Sequence, residues 1–391
     1  MSSIQEMAEQ YFEDAVEIRR NIHQQPELSM EEVRTTALIK GKLLEYGVSI
    51  ADLSLKTGAI GVLEGEKPGR TILLRADIDA LPVEEGSGLT FASEKKGICH
   101  SCGHDIHTAA LLLSARILEK MKKDLAGTVL FLFQPAEEKM EGSQLVIHSG
   151  LFETYHPDFV AGLHCWPDLP AGTIGVRQGS FMASSDCVTL TVRGKGGHGA
   201  HPHKSIDPIT AAAYLLTELQ TVVSRSVAPL EAAVMTMGKI EGGTASNVIP
   251  DTVVMEGTVR TVSNETRALV EEKIRQIACH GAEALGASCE VKYEKGVPAV
   301  VCDPAVVKRI QKAAEEELGS ENVVALETPS MGSEDFARYL EKVPGAMFRI
   351  GTANEDPATQ LPLHNSGIRF DERAILTGAV TFVRLVSDYL S

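Results

Sequence analysis

The chain has 391 residues, more than one ordinary hydrophobic core accommodates, which points to two domains. Its formal net charge of −16 leaves no basic stripe for phosphates and excludes nucleic acid as a partner, and no apolar run reaches the roughly 18 residues of a membrane span. The start, Met1-Ser-Ser-Ile-Gln-Glu-Met, lacks the basic and apolar regions of a secretory signal, and seven cysteines without framework spacing fit a reduced, cytoplasmic compartment.

In chain order, Ile4, Met7, Ala8, Tyr11, Phe12, Ala15 and Val16 recur at helical spacing. Ser29 and Glu32 then form a capping-box pattern that opens a second helix running to about Gly47. Strands are predicted at 59–63, 71–76, 128–133 and 158–164, with a helix over 106–123. This alternation predicts an α/β domain whose sheet is mostly parallel. From Cys187 the pattern changes to strand, helix at 206–225, strands at 232–240 and 251–261, helix at 265–285 and strand at 288–294. That β-α-β-β-α-β order is the ferredoxin-like arrangement of a small α+β domain. The expected division is 1–181 and 297–391 for the larger domain, with 182–296 inserted into it.

Several apolar runs end in metal-ligating residue types. Thr71-Ile-Leu-Leu-Arg-Ala-Asp-Ile-Asp leads into Asp77 and Asp79, Thr128-Val-Leu-Phe-Leu-Phe-Gln-Pro-Ala-Glu-Glu into Glu137 and Glu138, and Asp158-Phe-Val-Ala-Gly-Leu-His into His164. Strand ends of this kind lie where α/β enzymes keep their chemistry. Cys102 and His104 stand two apart around Gly103; they share one side of an extended segment, so they can bind one metal only from a loop. A thiolate beside an imidazole suits zinc or a neighbouring transition metal. Cys102 alone reads as a small buried hydrophobe; as a nucleophile with His104 as base it ranks well below a ligand, because the spacing across Gly103 is awkward and the carboxylates go unexplained. His107, inside the following helix, reads as a hydrogen-bonding neighbour of the ligands or a surface residue. The paired Glu137 and Glu138 repel unless a cation lies between them; with one as ligand, the other is free to take a proton from water. A solvated acidic turn is the plain alternative. His364, in a proline-flanked loop, joins the set by convergence with the other histidines.

In the inserted segment, Gly194-Lys-Gly-Gly-His-Gly-Ala-His-Pro-His is too glycine-rich for regular structure and lacks phosphate-loop spacing. Its glycines suit close approach to a substrate or a partner subunit. Arg260, at a strand end, has a guanidinium able to hold a carboxylate through two hydrogen bonds or to make a surface ion pair.

Taken together, Arg75-Ala-Asp-Ile-Asp-Ala-Leu-Pro, Cys102-Gly-His-Asp, Gln134-Pro-Ala-Glu-Glu, Gly196-Gly-His-Gly-Ala, Asn247-Val-Ile-Pro, Gly332-Ser-Glu-Asp-Phe and His364-Asn resemble the metal-dependent aminoacylase and peptidase family. The resemblance is to its amidohydrolase branch, which includes hippurate hydrolases, auxin-conjugate hydrolases and N-acetyldiaminopimelate deacetylases. It implies two divalent ions, manganese or zinc with cobalt or nickel admitted, held by Cys102, His104, Glu138, His164 and His364, with Cys102 bridging. It further implies Glu137 as general base, Asp79 or Asp77 as the acid that orients a ligand, and His198, Asn247 and Arg260 facing substrate. The inserted domain would serve as lid and as the contact of a homodimer or higher homo-oligomer. Ser101 and Cys165 depart from the usual alanine and aliphatic or histidine, which touches fine specificity only.

The expected reaction is hydrolysis of a small-molecule N-acyl amino acid to a carboxylic acid and a free amino acid, by water activated between two metals. A dipeptidase or carboxypeptidase with the same centre is the alternative reading. A non-catalytic metal-stabilised protein would have no use for a spare Glu137.

Overall fold

The computed structural model describes residues 3–391. In chain order its main elements are helices α1 (Ile4–Gln24) and α2 (Val33–Tyr46), strands β1 (Ser49–Ile50), β2 (Ala59–Glu64) and β3 (Lys67–Asp77), α3 (His104–Lys120), β4 (Ala126–Gln134), β5 (Phe159–Pro170) and β6 (Ile174–Val176). There follow β7 (Ser185–Arg193), α4 (Pro208–Thr221), β8 (Ala233–Gly242), β9 (Thr252–Thr261), α5 (Asn264–Ala284) and β10 (Ser288–Val297). The chain closes with α6 (Pro304–Leu318), β11 (Val323–Ala325), β12 (Gly345–Ala353) and α7 (Arg373–Leu390). It divides into two compact units.

The first unit comprises the chain up to Gly179 together with Cys302–Thr328 and Arg338–Ser391. Its eight-stranded sheet has the order β1-β2-β4-β3-β5-β12-β6-β11. The central pairs β4–β3, β3–β5 and β5–β12 are parallel, as expected, while β1–β2, β2–β4 and β12–β6 run antiparallel. The central strands read as continuous apolar runs because both faces are covered. Val129–Phe133 and Phe159–Leu163 are buried throughout, and α3 and α7 pack against both the sheet and one another. Helix α3 is buried from His104 to Ala115, so it is apolar around most of its circumference rather than along one stripe.

Ser29 and Glu32 do not form the expected capping box. Helix α2 starts at Val33 with Glu32 at its N-cap, and no side chain caps it. Both side chains are turned elsewhere: Ser29 Oγ donates to Asp79 (2.6 Å), and Glu32 Oε1 accepts from the Ala136 amide (2.9 Å).

The second unit spans Ser180–Val301 and Pro329–Ala337. Its four-stranded antiparallel sheet has the order β8-β9-β7-β10, the ferredoxin-like arrangement. Alternate residues Val188, Leu190 and Val192 of β7 and Val253, Met255 and Val259 of β9 face Leu215 and Leu219 of α4 and Ile274 and Ala278 of α5. Period-two strands against period-3.6 helices make this core. No described helix is long and apolar enough to cross a membrane.

Leu215 is fully buried in that core. Leu215→Ala should cost about 2–5 kcal/mol, read as a lowered urea midpoint for the second unit against an unchanged first unit.

Candidate metal centre

The parallel strands deliver acids to one edge of the first unit's sheet. Asp77 closes β3 opposite Gln134, the last residue of β4, and the chain then turns through Pro135 and Ala136 into Glu137 and Glu138. His164 lies within β5 rather than beyond it, in register with Arg349 of β12. Cys102 and His104 flank Gly103, which has φ +88°; a Cβ there would lie 2.7 Å from the Cys165 sulfur, so only glycine lets the helix start so close to β5.

These elements bring eight of the candidate residues together. Cys102 Sγ is 3.5 Å from His164 Nε2, and His104 Nδ1 is 3.3 Å from Asp79 Oδ1. His104 Nε2 faces Asp77 Oδ2 at 3.7 Å, Glu138 Oε1 at 3.8 Å and Glu137 Oε2 at 3.9 Å. His364 Nε2 lies 3.6 Å from Glu138 Oε1 and is the exposed member, on a backbone with φ +68°. Three overlapping sets, Cys102–His104–His164, Cys102–Glu138–His364 and His104–Glu137–Glu138, each have their donor atoms within 4.8 Å of one another.

The electrostatics of this cluster are those of a site built for a cation. Burial pushes the Cys102 thiol well above its ordinary range, and Glu138, Glu137 and Asp77 push it further. Burial also lifts Glu138 to about 7, with Asp79 and Asp77 adding to the effect against the pull of His104. His104 is raised to about 10, burial being outweighed by Asp77, Asp79 and Glu138. Burial takes His164 well below its ordinary value, reinforced by His107 and His104. His104 Nε2 and Glu138 Oε1 are buried and find no hydrogen-bond partner among the described residues. Such atoms are costly unless something satisfies them. A divalent ion fits: it accepts a lone pair from each, and it supplies the positive charge the thiol and carboxylates require.

The family model described as peptidase family M20/M25/M40 matches residues 73–388. The chain belongs to this family. It is therefore a hydrolase of amide bonds. It is 44% identical over 359 residues to the N-acetyl-L-cysteine deacetylase of Bacillus subtilis, covering 92% of this chain and 84% of the relative. It is 38% identical over 378 residues to the hippurate hydrolase of Campylobacter jejuni, covering 95% and 96%. A solved Bacillus subtilis structure, described as a dinuclear metal binding peptidase of the M20 family, superposes with a TM-score of 0.87 at 37% identity over 98% of this chain and 99% of that one.

Around the M20 centre the structure adds residues with no distinguishing mark in the sequence. His107 is fully buried: Nε2 accepts the Cys165 amide (2.7 Å), so Nδ1 carries the proton and donates to Asp77 (2.5 Å). It is not a surface residue. Behind it Asp105 holds His23 Nδ1 (2.8 Å) and Arg19 Nε (2.6 Å), while His23 Nε2 meets Glu85 (3.1 Å). A histidine in an N-terminal helix gives no sign that it anchors the start of α3.

The remaining candidates belong to the second unit. His198 pairs with Val248 in a two-residue ribbon, and Gly199 N donates to Asn247 O (2.9 Å). His198 Nδ1 accepts the Ala200 amide (3.0 Å), so the neutral ring carries its proton on Nε2. Arg260, on β9, donates from Nη1 to Ser333 Oγ (3.0 Å) rather than pairing with a surface acid.

Burial alone would raise the Glu85 carboxyl, but His23, Ser87 and the Ser93 amide hold it at about 2. His23 is raised: burial opposes its charge, and Asp105 and Glu85 outweigh it. Glu85 therefore stabilises the fold above the ordinary carboxylate range and loses this as pH falls through about 2. The imidazolium contributes below its ordinary value of 6.5 and loses it as pH rises through the folded value. Glu85→Gln should lower the melting temperature most near pH 5–6, with the deficit shrinking under alkaline conditions; a pH series of thermal melts checks the window.

Proposed function

We propose that this chain is an amidohydrolase of N-acyl amino acids that works with divalent metal ions. The observation that carries the reading is the convergence of buried His104 Nε2 and Glu138 Oε1, neither with a hydrogen-bond partner among the described residues, with the Cys102 thiol and His164. Cys102, His104, Glu138, His164 and His364 are the residues that would hold a pair of ions. When bound, the ions supply concentrated positive charge that acidifies water and draws electron density from a carbonyl.

The protein's own groups do the rest. Asp79 accepts the Nδ1 proton of His104, and the Cys165 carbonyl accepts that of His164 (2.9 Å), so each ring turns Nε2 into the site. Glu137 is the general base: buried, one residue before Glu138, it takes the proton from the attacking water at a carboxylate oxygen. It then returns that proton to the nitrogen that leaves as the free amino group. His198, with its proton on Nε2, donates to an oxygen of the substrate, Asn247 adds a polar contact, and the Arg260 guanidinium holds the substrate carboxylate. The deacetylase and hippurate hydrolase relatives support an acylated amino acid as the substrate. The inserted unit would join copies of the chain into a homodimer or higher homo-oligomer.

Glu137→Gln should lower kcat by about 10²–10⁴-fold while the metal content of the purified protein stays at the parental level. Activity at the parental level in this variant would remove Glu137 from its role. In a panel of acetyl-, benzoyl- and indoleacetyl-amino acids against dipeptides, the acylated amino acids should be hydrolysed faster. Chelation should abolish turnover, and manganese, zinc, cobalt or nickel added back should restore it.

A further inference from the structure

The turn that carries Glu137 and Glu138 is held in an unfavourable backbone conformation. Ala136 is fully buried with φ +53°, in the left-handed region, which costs a non-glycine residue about 1–2 kcal/mol. Met140, four residues on, is also left-handed at φ +57°. Between them the chain folds back tightly: the Met140 amide donates to Glu137 O (2.7 Å), and the Gly142 amide to Ala136 O (3.1 Å). A Cβ on Gly142 would fall 1.6 Å from the Pro135 carbonyl oxygen. A conformation of this kind persists only where its surroundings over-determine it.

Glu32, at the N-cap of α2, and Asp79, two residues beyond β3, supply that determination. Glu32 is completely buried, does not cap its own helix, and spends Oε1 on the Ala136 amide at 2.9 Å, across 104 residues of sequence. The second carboxylate in contact with the turn, Asp79, accepts the Glu138 amide (3.0 Å) and is itself steadied by Ser29 Oγ (2.6 Å). The amides on either side of Glu137 thus each end on a buried carboxylate. No other hydrogen bond from the Ala136 amide is needed to account for its burial. Removing Glu32 would leave a buried N–H unsatisfied in a strained residue, and the cheapest relief is for Ala136 to leave the left-handed region. Rotation there swings the side chain of the next residue, Glu137.

We propose that Glu32 is a positioning residue for the catalytic base: its carboxylate fixes Ala136 in the left-handed conformation that aims Glu137. The proposal rests on the reading of Glu137 as the base, and it assigns to Glu32 no contact with substrate or metal. What matters in this role is the reach and acceptor character of the side chain rather than its charge.

Two substitutions separate these properties. Glu32→Gln keeps the length and an acceptor oxygen for the Ala136 amide but removes the charge. Glu32→Asp keeps the charge and is one methylene too short. With a fully metal-loaded enzyme and an N-acyl amino acid substrate, Glu32→Gln should retain kcat within about fivefold. Glu32→Asp should lose about 100-fold, the scale of an ångström misplacement at a reacting centre, with KM changed less than about threefold. Adding Ala136→Gly to Glu32→Asp should recover at least tenfold of that loss, because glycine occupies positive φ without steric cost. Hydrogen exchange on the metal-free proteins gives a reading independent of turnover: the Ala136 amide should be protected in the parent and in Glu32→Gln, and unprotected in Glu32→Asp.

Parental kcat in Glu32→Asp, or equal losses in the Asp and Gln variants, would overturn the proposal. So would failure of Ala136→Gly to improve Glu32→Asp. Glu32→Gln guards against a folding failure of the shorter variant, since a loss beyond about tenfold there at an unchanged melting temperature also overturns it. If Glu137→Gln is inactive while Glu32→Asp is fully active, only the positioning role fails. If Glu137→Gln is active, the assignment of the base fails first.

Discussion

The structure is organised around one electrostatic problem. Asp77, Asp79, Glu137 and Glu138 all place an oxygen within 3.9 Å of the same buried imidazole, His104, with a thiol alongside. Carboxylates so crowded and so far from water cannot all be ionised unless positive charge is interposed. The raised values of Glu138, His104 and Cys102 are the same statement in terms of protons: in the metal-free protein hydrogen ions do part of the compensation. Divalent ions do it better, because they neutralise several acids at once and leave one of them unprotonated. That is the condition under which a carboxylate can serve as a base.

The fold answers by supplying rigid points of attachment. Parallel strands β3, β4 and β5 end or pass at one edge of a sheet covered on both faces, so the acids and His164 are carried by backbone that has little freedom. Loops contribute only what strands cannot. The Gly103 turn lets Cys102 and His104 approach β5, and the left-handed Ala136 turn presents two successive glutamates to one place. Each loop is tied from outside, by the Asp105–Arg19–His23 cluster at the start of α3 and by Glu32 and Asp79 at the acidic turn. Glu32 and Asp79 hold the acidic turn through its backbone amides.

This division explains what could be read in the sequence. The β-α-β-β-α-β order and the strand-then-acid runs are local patterns of period two and 3.6, and they survive into the structure as the second unit's sheet and as Asp77, Glu137 and Glu138 at strand ends. The supporting residues carry no such pattern. Ser29 and Glu32 have the spacing of a capping box, a local interaction worth about 1 kcal/mol. Tertiary partners 50 and 104 residues away in sequence take both side chains instead. His23 and His107 likewise look like ordinary helical histidines, since what distinguishes them is a carboxylate brought near by the folding of other segments.

Backbone groups also decide the protonation pattern of the histidines, which is chemistry that no residue list contains. His164 gives its Nδ1 proton to the Cys165 carbonyl, and the amide of that same Cys165 donates to His107 Nε2. One residue of β5 thereby turns His164 outward with Nε2 available as a donor of electrons, and turns His107 into a proton donor toward Asp77. In the second unit the Ala200 amide fixes His198 the other way, with Nε2 carrying hydrogen. A nitrogen so protonated is unsuited to bind a cation and suited to receive a negative oxygen. Identical side chains thus acquire opposite tasks from the direction of a single peptide N–H or C=O. The departure from the usual residue at Cys165 leaves this untouched, because its contribution comes from the main chain.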